Sequence, residues 1–339
     1  MQKRALVAGG GGFIGGHFVK RLLELDFDVV VADIKPENEW YQIHPTATNH
    51  FSTSMAVYEN VNNLMRDCDC IFNFSCNMGG IGFCEQNHLM TGLSVEINTN
   101  IVKAALNNKP DFIFYSSSAC IYNETLQKDE NNPGLKEADA WPAQPDLLYG
   151  LEKLFSEELY RYLFIEHKIP VYIARLHNVY GPQGTWDGGR EKAPAAALRK
   201  VIAIAKNDNP GKEITIWGDG KQTRSFMYID DCVEGILKII KEPKLIATPI
   251  NLGSDEMVTI QQLYDMAAEM ADVKPVYNYD LSAPKGVRGR NSDNAFIQEI
   301  LNWAPSIKLK TGLKNTYDWL WNDYDDENSP YRVYHDIRW

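Results

Sequence analysis

The sequence has no long hydrophobic run and no excess of positive charge, and we expect no signal peptide at its start. No run of eighteen apolar residues occurs in the 339-residue chain, and the apolar stretch near its start is too short for a signal peptide. The formal net charge is −11, which disfavours binding to nucleic acid or to an anionic membrane. We therefore expect a globular, cytoplasmic protein that holds any anionic ligand through local donors.

Disulfide and metal frameworks are also missing. The chain has six cysteines, but they form no CxxC pair and no regular framework, and no group of residues has the spacing of metal ligands. In a chain of this size the cysteines are most simply free thiols in a reducing cytoplasm. We expect no bound metal; one cysteine, Cys120, is treated separately below.

Strand-like and helix-like patterns alternate through the first half of the chain. Buried strands are predicted at residues 4–8, 28–33, 70–74, 112–115 and 171–175, with helices at residues 13–25, 56–66, 95–107 and 149–167. This alternation predicts an α/β fold with a doubly wound parallel sheet of the Rossmann type. After about residue 176, loops rich in glycine and proline separate shorter elements, which predicts a smaller, mixed α/β C-terminal lobe.

A glycine motif follows the first predicted strand. Gly9, Gly12 and Gly15 form GxxGxxG at the start of the first helix, where small residues let backbone N–H groups approach a pyrophosphate. Such a motif is weak evidence alone, but Asp33 ends the next strand about twenty residues on, where it can bind a ribose 2′-hydroxyl and repel a 2′-phosphate. We therefore expect NAD rather than NADP, although an aspartate at a strand end is sometimes merely solvated. The residues expected to contact the cofactor here are Gly9, Gly12, Phe13, Ile14, Gly15 and Asp33.

A second motif carries acid–base chemistry. Tyr149 and Lys153 form YxxxK at the start of a predicted helix, so they share one helix face and the ammonium can lower the tyrosine pKa. A phenolate can take a hydroxyl proton while a hydride leaves to a nicotinamide. Ser118 follows a predicted strand, where the strand end would present its hydroxyl to a ligand crevice.

The glycine motif, the serine and the YxxxK pair resemble, in this order and spacing, the extended short-chain dehydrogenase/reductases, the family of the sugar-nucleotide epimerases and dehydratases. The resemblance implies that Ser118, Tyr149 and Lys153 form a catalytic triad, with Tyr149 and Lys153 also contacting NAD. In the later segment RSFMYIDD, at 224–231, it implies that Arg224 meets a phosphate of the substrate.

A narrower resemblance lies in the segments NMGGIGF (77–83), SSACIY (117–122), HNVYGPQGTWDGGREKAPAA (177–196) and GVRGRNSDN (286–294). They resemble the GDP-mannose 3,5-epimerases, and the likeness covers nearly the whole chain. It implies that Cys120 and Lys192 exchange protons with the sugar ring. A lone cysteine is more often a small hydrophobic residue and a lone loop lysine is more often solvated, but the combination with Ser118 favours catalysis for both.

The chemistry of the sugar explains why two further acid–base groups are needed. Oxidation of C4 to a ketone makes the hydrogens on C3 and C5 acidic, so that a base on one ring face and an acid on the other can invert each centre. A thiolate and a partly buried lysine suit these roles. The hydride then returns to C4, so no second redox substrate is consumed.

The same resemblance implies a set of substrate contacts. Arg224 is the first candidate for the diphosphate, with Arg288 and Arg290 next, although surface arginines also form ordinary salt bridges. Met78 is expected to cover the cofactor. The predicted substrate-binding residues are Gly79, Asn178, Glu191, Lys192, Arg224, Arg288, Arg290 and Ser292. Ser94, Asn123 and Gln183 depart from the family pattern near the sugar site, which leaves the identity of the sugar and of the nucleobase open.

These observations predict an NAD-binding Rossmann domain at residues 1–178 and about 222–252, with a sugar-nucleotide-binding lobe at residues 179–221 and 253–339. The predicted function is that of an NAD-dependent 3,5-epimerase, an isomerase. A 4-epimerase would leave Cys120 and Lys192 unused, a dehydratase would carry acidic residues after Ser118, and a non-catalytic NAD sensor would not need Tyr149. The family resemblance also implies a homodimer through the helices near residues 95–107 and 149–167, the second of which has more apolar surface than one face needs.

Overall fold

The computed structural model describes residues 2–332, which form fourteen β-strands and eleven α-helices. The strands are β1 (Arg4–Ala8), β2 (Asp28–Ala32), β3 (Thr48–His50), β4 (Cys70–Asn73), β5 (Phe112–Ser118), β6 (Val171–Leu176), β7 (Val179–Tyr180), β8 (Glu213–Trp217), β9 (Thr223–Ser225), β10 (Met227–Tyr228), β11 (Ile250–Leu252), β12 (Met257–Thr259), β13 (Val276–Asp280) and β14 (Gly289–Arg290). The helices are α1 (Phe13–Glu24), α2 (Tyr58–Met65), α3 (Ile81–Gln86), α4 (His88–Gly92), α5 (Val95–Asn108), α6 (Leu148–His167), α7 (Ala193–Ala205), α8 (Ile229–Ile239), α9 (Ile260–Met270), α10 (Ala295–Leu301) and α11 (Leu309–Asp323).

A seven-stranded sheet is the centre of the first part of the chain. Its strand order is β11-β6-β5-β4-β1-β2-β3, and every neighbouring pair is parallel. The order reverses next to β1, which is the point where open α/β sheets form a ligand crevice at the carboxyl ends of their strands. The predicted Rossmann fold with a doubly wound parallel sheet is confirmed.

Both faces of this sheet are covered because successive strand side chains point to opposite sides. On one face Val7 and Val31 pack against α1 and α8, and on the other Leu6 and Val30 pack against α2, α5 and α6. The continuous apolar runs in the sequence reflect this burial on both sides. None of the helices formed by residues 2–332 is long and apolar enough to cross a membrane.

Smaller sheets make up the remainder. β9 pairs with antiparallel β12 and parallel β14, β8 pairs with β13, and β7 pairs with β10. Helix α7 packs against α9 and α11. The segment 222–252 contributes β11 to the large sheet and β9 to a small one, and the predicted domain boundaries stay a prediction.

Predicted and observed bounds agree closely except at β5. The prediction ended this strand at Tyr115, whereas it continues to Ser118 and stays paired with β6 to its last residue. Serine is a poor strand former, but here Ser116 donates a hydrogen bond to the carbonyl of Asn73 at 2.9 Å and Ser117 donates to the buried carboxylate of Glu157. Because of this extension, Ser118 lies at the carboxyl edge of the sheet.

Candidate active site

The glycine loop after β1 has the shape of a dinucleotide cradle. Gly9 has φ +81°, and a Cβ there would lie 2.8 Å from the backbone carbonyl carbon of Phe74. A Cβ on Gly15 would lie 2.3 Å from the carbonyl oxygen of Gly9, so neither position has room for a side chain. Helix α1 begins with Gly12 as its N-cap and has no side-chain cap, which leaves its first N–H groups for an anion. These residues fit the pyrophosphate of NAD.

Asp33 lies just beyond β2, and its carboxylate accepts a hydrogen bond from the backbone N–H of Lys35 at 3.1 Å. Burial raises the pKa of this carboxyl group. A buried carboxylate at this edge matches the predicted contact with a ribose hydroxyl. The sequence reasoning missed Trp40, whose ring would lie 2.8 Å from a Cβ on Gly11 and which therefore packs directly on the glycine loop.

Two other predicted cofactor residues, Phe13 and Met78, contact the segment 184–190. The ring of Phe13 lies 3.4 Å from the Cβ position of Gly184. The carbonyl oxygen of Met78 accepts a hydrogen bond from Arg190 at 3.4 Å. Ile14 is partly buried against the core beneath α1.

Ser118, Tyr149 and Lys153 meet at the carboxyl end of β5. Tyr149 and Ser118 share a side-chain hydrogen bond. Lys153 is 1% exposed, and its Nζ donates to the carbonyl oxygen of Ser116 at 3.0 Å while lying 5.8 Å from the ring centroid of Tyr149. The structure therefore brings the three predicted residues together.

The pKa of Tyr149 differs from the expectation that Lys153 lowers it. Burial raises the pKa of the phenol well above its usual value, the neighbouring thiols of Cys76, Cys120 and Cys84 raise it further, and the hydrogen bond from Ser118 opposes the shift only in part. Burial therefore outweighs the groups that favour the phenolate, and the predicted effect of Lys153 on the pKa of Tyr149 stays a prediction.

Cys120 lies in a short 3₁₀ turn, Ala119–Ile121, directly after β5. Its backbone N–H donates to the Oγ atom of Ser118 at 3.2 Å, which fixes the turn beside the triad. The Sγ atom accepts a hydrogen bond from Nη1 of Arg290 at 3.2 Å. The predicted acid–base cysteine thus lies between the triad and a buried guanidinium.

Lys192 is the N-cap of α7, and its Nζ donates to the carbonyl oxygen of Gly79 at 3.2 Å. The Cys84 thiol approaches the same carbonyl at 3.7 Å. Lys192 and Cys120 both act on the pKa of Cys84, and Cys84 and Cys120 both act on that of Tyr149. Cys84 thus lies within electrostatic range of Lys192, Cys120 and Tyr149, and the catalytic role of Lys192 stays a prediction. Cys76 and Cys84 were not predicted here, since nothing in their spacing separates them from core cysteines.

Arg224 has an arrangement that suits an anionic ligand. Its guanidinium donates to three backbone carbonyls, those of Thr223 at 2.7 Å, Val287 at 2.6 Å and Lys285 at 3.3 Å. Burial lowers the pKa of Arg224 to about 9, and the nearby cation of Arg290 adds to this effect. No Asp or Glu within residues 2–332 forms an ion pair with it. A phosphate would supply the missing negative charge.

A cleft of about 680 Å³ adjoins this arginine. Gly286 lines the cleft, and a Cβ on it would lie 3.4 Å from an Nη atom of Arg224. Ile81, Asp146 and Arg288 are among the other lining residues. The cleft is large enough to hold part of a nucleotide-sized ligand.

The remaining predicted substrate residues are bonded within the protein. Arg288 forms ion pairs with Glu130 at 2.6 Å and Asp219 at 2.7 Å. Ser292 donates through Oγ to Asn294 at 2.8 Å, and Asn178 donates through Nδ2 to the carbonyl of Ser225 at 3.0 Å. The carboxylate of Glu191 accepts hydrogen bonds from the N–H of Gly189 at 2.7 Å and from Arg199 at 3.4 Å. Their substrate roles stay predictions, as does that of Gly79.

The positions that depart from the family pattern have structural explanations in two cases. Ser94 is buried, and its Oγ accepts a hydrogen bond from the N–H of Asn77 at 3.0 Å, so it holds the segment that carries Gly79. Asn123 is buried and donates to the carbonyl of Pro142 at 3.0 Å. Gln183 has φ +61°, a backbone conformation in a tight turn.

The fold and the site together define a nucleotide-sugar enzyme that works through a dinucleotide. Residues 5–253 match the NAD dependent epimerase/dehydratase family, and the chain belongs to that family. It is therefore an NAD-dependent nucleotide-sugar epimerase, an isomerase whose cofactor is NAD. GDP-mannose 3,5-epimerase of Arabidopsis thaliana is 42% identical to it over 325 residues, which cover 95% of this chain and 83% of that protein. GDP-mannose 3,5-epimerase 1 of Oryza sativa subsp. indica is 42% identical over 328 residues, covering 96% and 84%.

Solved structures show the same fold at low identity. UDP-glucose 4-epimerase of Thermotoga maritima, solved with UDP-glucose, superimposes with a TM-score of 0.84 at 21% identity and covers 95% of this chain and 100% of that one. UDP-glucuronic acid 4-epimerase of Bacillus cereus, solved with UDP-glucuronic acid and NAD, gives 0.80 at 24% identity, covering 95% and 100%.

Proposed function

We propose that the protein is a 3,5-epimerase of GDP-mannose, converting it to products of the GDP-L-galactose and GDP-L-gulose type. The proposal rests on Cys120, which directly follows β5 with its backbone N–H bonded to Ser118. It rests also on Lys192, whose ammonium donates to the Gly79 carbonyl beside the Cys84 thiol. The 42% identity to GDP-mannose 3,5-epimerases over nearly the whole chain supports it.

The first task of the site is to accept the proton of the C4 hydroxyl. Tyr149 takes this proton, and Ser118 orients the hydroxyl through the hydrogen bond that it already shares with Tyr149. NAD held by the glycine loop and Asp33 would supply the hydride acceptor for C4 and the donor for its re-reduction. Lys153 keeps the end of β5 in place through its bond to Ser116.

The second task is proton exchange next to the new carbonyl. Cys120 and Lys192 approach from different elements, the turn after β5 and the N-terminus of α7. One removes a proton from C3 or C5 and the other returns one to the opposite ring face. Which of the two is the base at each carbon is a matter for experiment.

The diphosphate of the substrate is assigned to Arg224. This guanidinium is held by three carbonyls, has no carboxylate partner within residues 2–332 and borders the cleft at Gly286. A charge-assisted contact with a phosphate would offset the cost of burying the cation.

The second candidate function is that of a simple 4-epimerase, since the triad and the cofactor would suffice for it. Such an enzyme has no use for a thiol and an ammonium beside the sugar ring. A non-catalytic NAD-binding sensor is the third candidate, and it would have no use for a buried tyrosine bonded to Ser118.

The deciding experiment is incubation with GDP-mannose in deuterium oxide, followed by proton NMR of the recovered sugar. We expect deuterium at C3 and C5, new stereoisomers and no net NADH. Cys120→Ala should abolish the exchange, whereas Cys68→Ala, which removes a thiol elsewhere, should not. Absence of deuterium from both carbons with NAD bound would reject the proposal. A 4-epimer formed without deuterium would favour the second candidate, and bound NAD without turnover the third.

We also propose that two copies of the chain associate through α6. Its exposed apolar side chains are spaced by three or four residues or by seven, which places them on one stripe. They are Leu148, Leu151, Phe155, Tyr162 and Ile165, each between 41% and 54% exposed. A stripe of this kind along one helix is suited to a second copy of itself, because the contact is then self-complementary.

A cytoplasmic location remains part of the proposal. All six cysteines are free, and Cys120 must be a thiol to exchange protons. A reducing compartment preserves that state.

A further inference from the structure

We propose that Arg290 is a positioning residue which holds the sulfur of Cys120 and stabilises its thiolate, rather than a ligand of the substrate diphosphate. The inference rests on the proposed function for its catalytic meaning, but the contact on which it depends can be tested separately. It also reverses the sequence-based expectation for Arg290.

The geometry of the Arg290 guanidinium is the first argument. Nη1 donates to Cys120 Sγ at 3.2 Å, Nε donates to Gln127 Oε1 at 2.5 Å and Nη2 contacts Asp146 Oδ2 at 3.4 Å. All three nitrogens are therefore engaged, and the residue is 7% exposed. A side chain fixed on three sides has little freedom to follow a mobile phosphate, but it can hold one sulfur atom in a constant place.

The comparison with Arg224 is the second argument. The two arginines face each other in the β14–β9 pair, so both reach the same region from adjacent strands. Arg224 donates only to carbonyls and has no carboxylate partner in the described residues, whereas Arg290 has both a carboxylate and a thiol. Arg224 can therefore bind an anionic ligand, whereas Arg290 is already bound to Asp146 and Cys120 of the protein itself.

The charged groups around Cys120 also support a role for Arg290 in holding its sulfur. The described groups that interact with it are the cations of Arg290 and Arg224, the phenol of Tyr149 and the thiol of Cys84, with Asp146 acting through Arg290. Burial by itself would lower the pKa of Arg290, yet Cys120 and Asp146 raise it. A guanidinium that donates to the sulfur favours its thiolate form, because the cation attracts the negative charge.

The test uses alkylation of Cys120 by iodoacetamide, in which the thiolate sulfur displaces iodide. The rate at the Cys120 peptide is followed by mass spectrometry across a pH series in the full-length protein. For Arg290→Met we expect the midpoint of the rate profile to rise by about one pH unit or more, which slows alkylation at neutral pH about tenfold. Arg290→Lys keeps a cation and should recover part of the loss.

A second variant tests the same contact in the opposite direction. Asp146→Asn removes the carboxylate that competes for the guanidinium, so the midpoint should fall below that of the wild type. This variant leaves Arg290 in place, so the proposal can be tested even if Arg290→Met does not fold. Unchanged midpoints in all folded variants would overturn the proposal.

Kinetics separate a positioning role from phosphate binding. For Arg290→Met we expect deuterium exchange at the sugar to fall at least tenfold while the KM for GDP-mannose stays within about threefold. A rise in KM that accounts for the whole loss would identify Arg290 as a phosphate ligand and reject the inference. If the variants shift the midpoint of alkylation as expected but the wild type exchanges no deuterium into GDP-mannose, the contact between Arg290 and Cys120 is supported and the proposed function is rejected.

Discussion

Lys192 and Gly79 are joined by a hydrogen bond from the lysine Nζ to the glycine carbonyl oxygen at 3.2 Å. The loops around them are also paired through the N–H of Gly80 and the carbonyl of Arg190 at 3.1 Å. The loop that precedes α7 is thereby closed onto the loop that follows β4. If Lys192 exchanges a proton with the sugar ring as proposed, the substrate must replace the Gly79 carbonyl as a partner of this ammonium or share the ammonium with it.

Replacing Lys192 by Met should separate oxidation at C4 from inversion at its neighbours. Tyr149 and the cofactor cradle are unchanged, so we expect GDP-mannose to reduce bound NAD still. Deuterium exchange at C3 or C5 should fall by about 10²–10⁴, the usual contribution of a general acid or base. The two steps are measured by NADH absorbance and by proton NMR. Lys241→Met, at an exposed lysine, is the control, and full exchange in the Lys192 variant would contradict the role.

Arg224→Met should weaken substrate binding and stabilise the free protein. Losing a charge-assisted phosphate contact should raise the KM for GDP-mannose about tenfold or more. Removing a partly buried cation that has no carboxylate partner in the described residues should increase the free energy of unfolding measured without substrate. The control is Arg21→Met, which should leave the KM unchanged. An unchanged KM in the Arg224 variant would contradict the assignment of the substrate diphosphate to Arg224.

The Rossmann part of the fold could be predicted because local signals agree with it. The apolar runs of β1, β2 and β4 are buried on both faces, and the glycines after β1 occupy positions with no room for a Cβ. The spacing of Tyr149 and Lys153 places them on one face of α6 whatever surrounds the helix. These features depend on neighbours in the sequence.

The contacts of the arginines could not be predicted, because they join residues far apart in the chain. Arg290 and Cys120 are separated by 170 positions, and Arg288 and Glu130 by 158. An RGR segment does not say which arginine meets a carboxylate, a thiol or a ligand. The raised pKa of Tyr149 was missed for the same reason, since burial and the thiols of Cys76 and Cys84 come from other elements.

Phe155→Glu should convert the proposed dimer into a monomer. Phe155 is 53% exposed at the middle of the apolar stripe on α6, and a carboxylate there would face its own copy across a two-fold contact. Light scattering of the purified protein measures the change. Val276→Glu, at an apolar residue 56% exposed on β13, should leave the mass unchanged. A wild-type protein that is already a monomer would contradict the assembly.

His177 should make folding stability depend on pH below neutrality. It is fully buried beside Asn251, and burial lowers its pKa from 6.5 to about 4. Below pH 6.5 the unfolded chain takes up a proton at this histidine while the folded protein does not, so acidification favours unfolding until about pH 4. The stability lost over this window is on the order of 3 kcal/mol.

The measurement is urea unfolding of the wild type and of His177→Gln at several pH values between 7 and 4 (a window set by the ordinary and lowered pKa of His177). Glutamine can donate to Asn251 without titrating, and carboxyl groups with raised pKa values, such as Asp231 and Glu152, affect both proteins alike. The stability of the wild type relative to the variant should therefore fall as pH falls. A difference that stays constant across the window would mean that the pKa of His177 is the same in the folded and the unfolded protein, which contradicts the prediction.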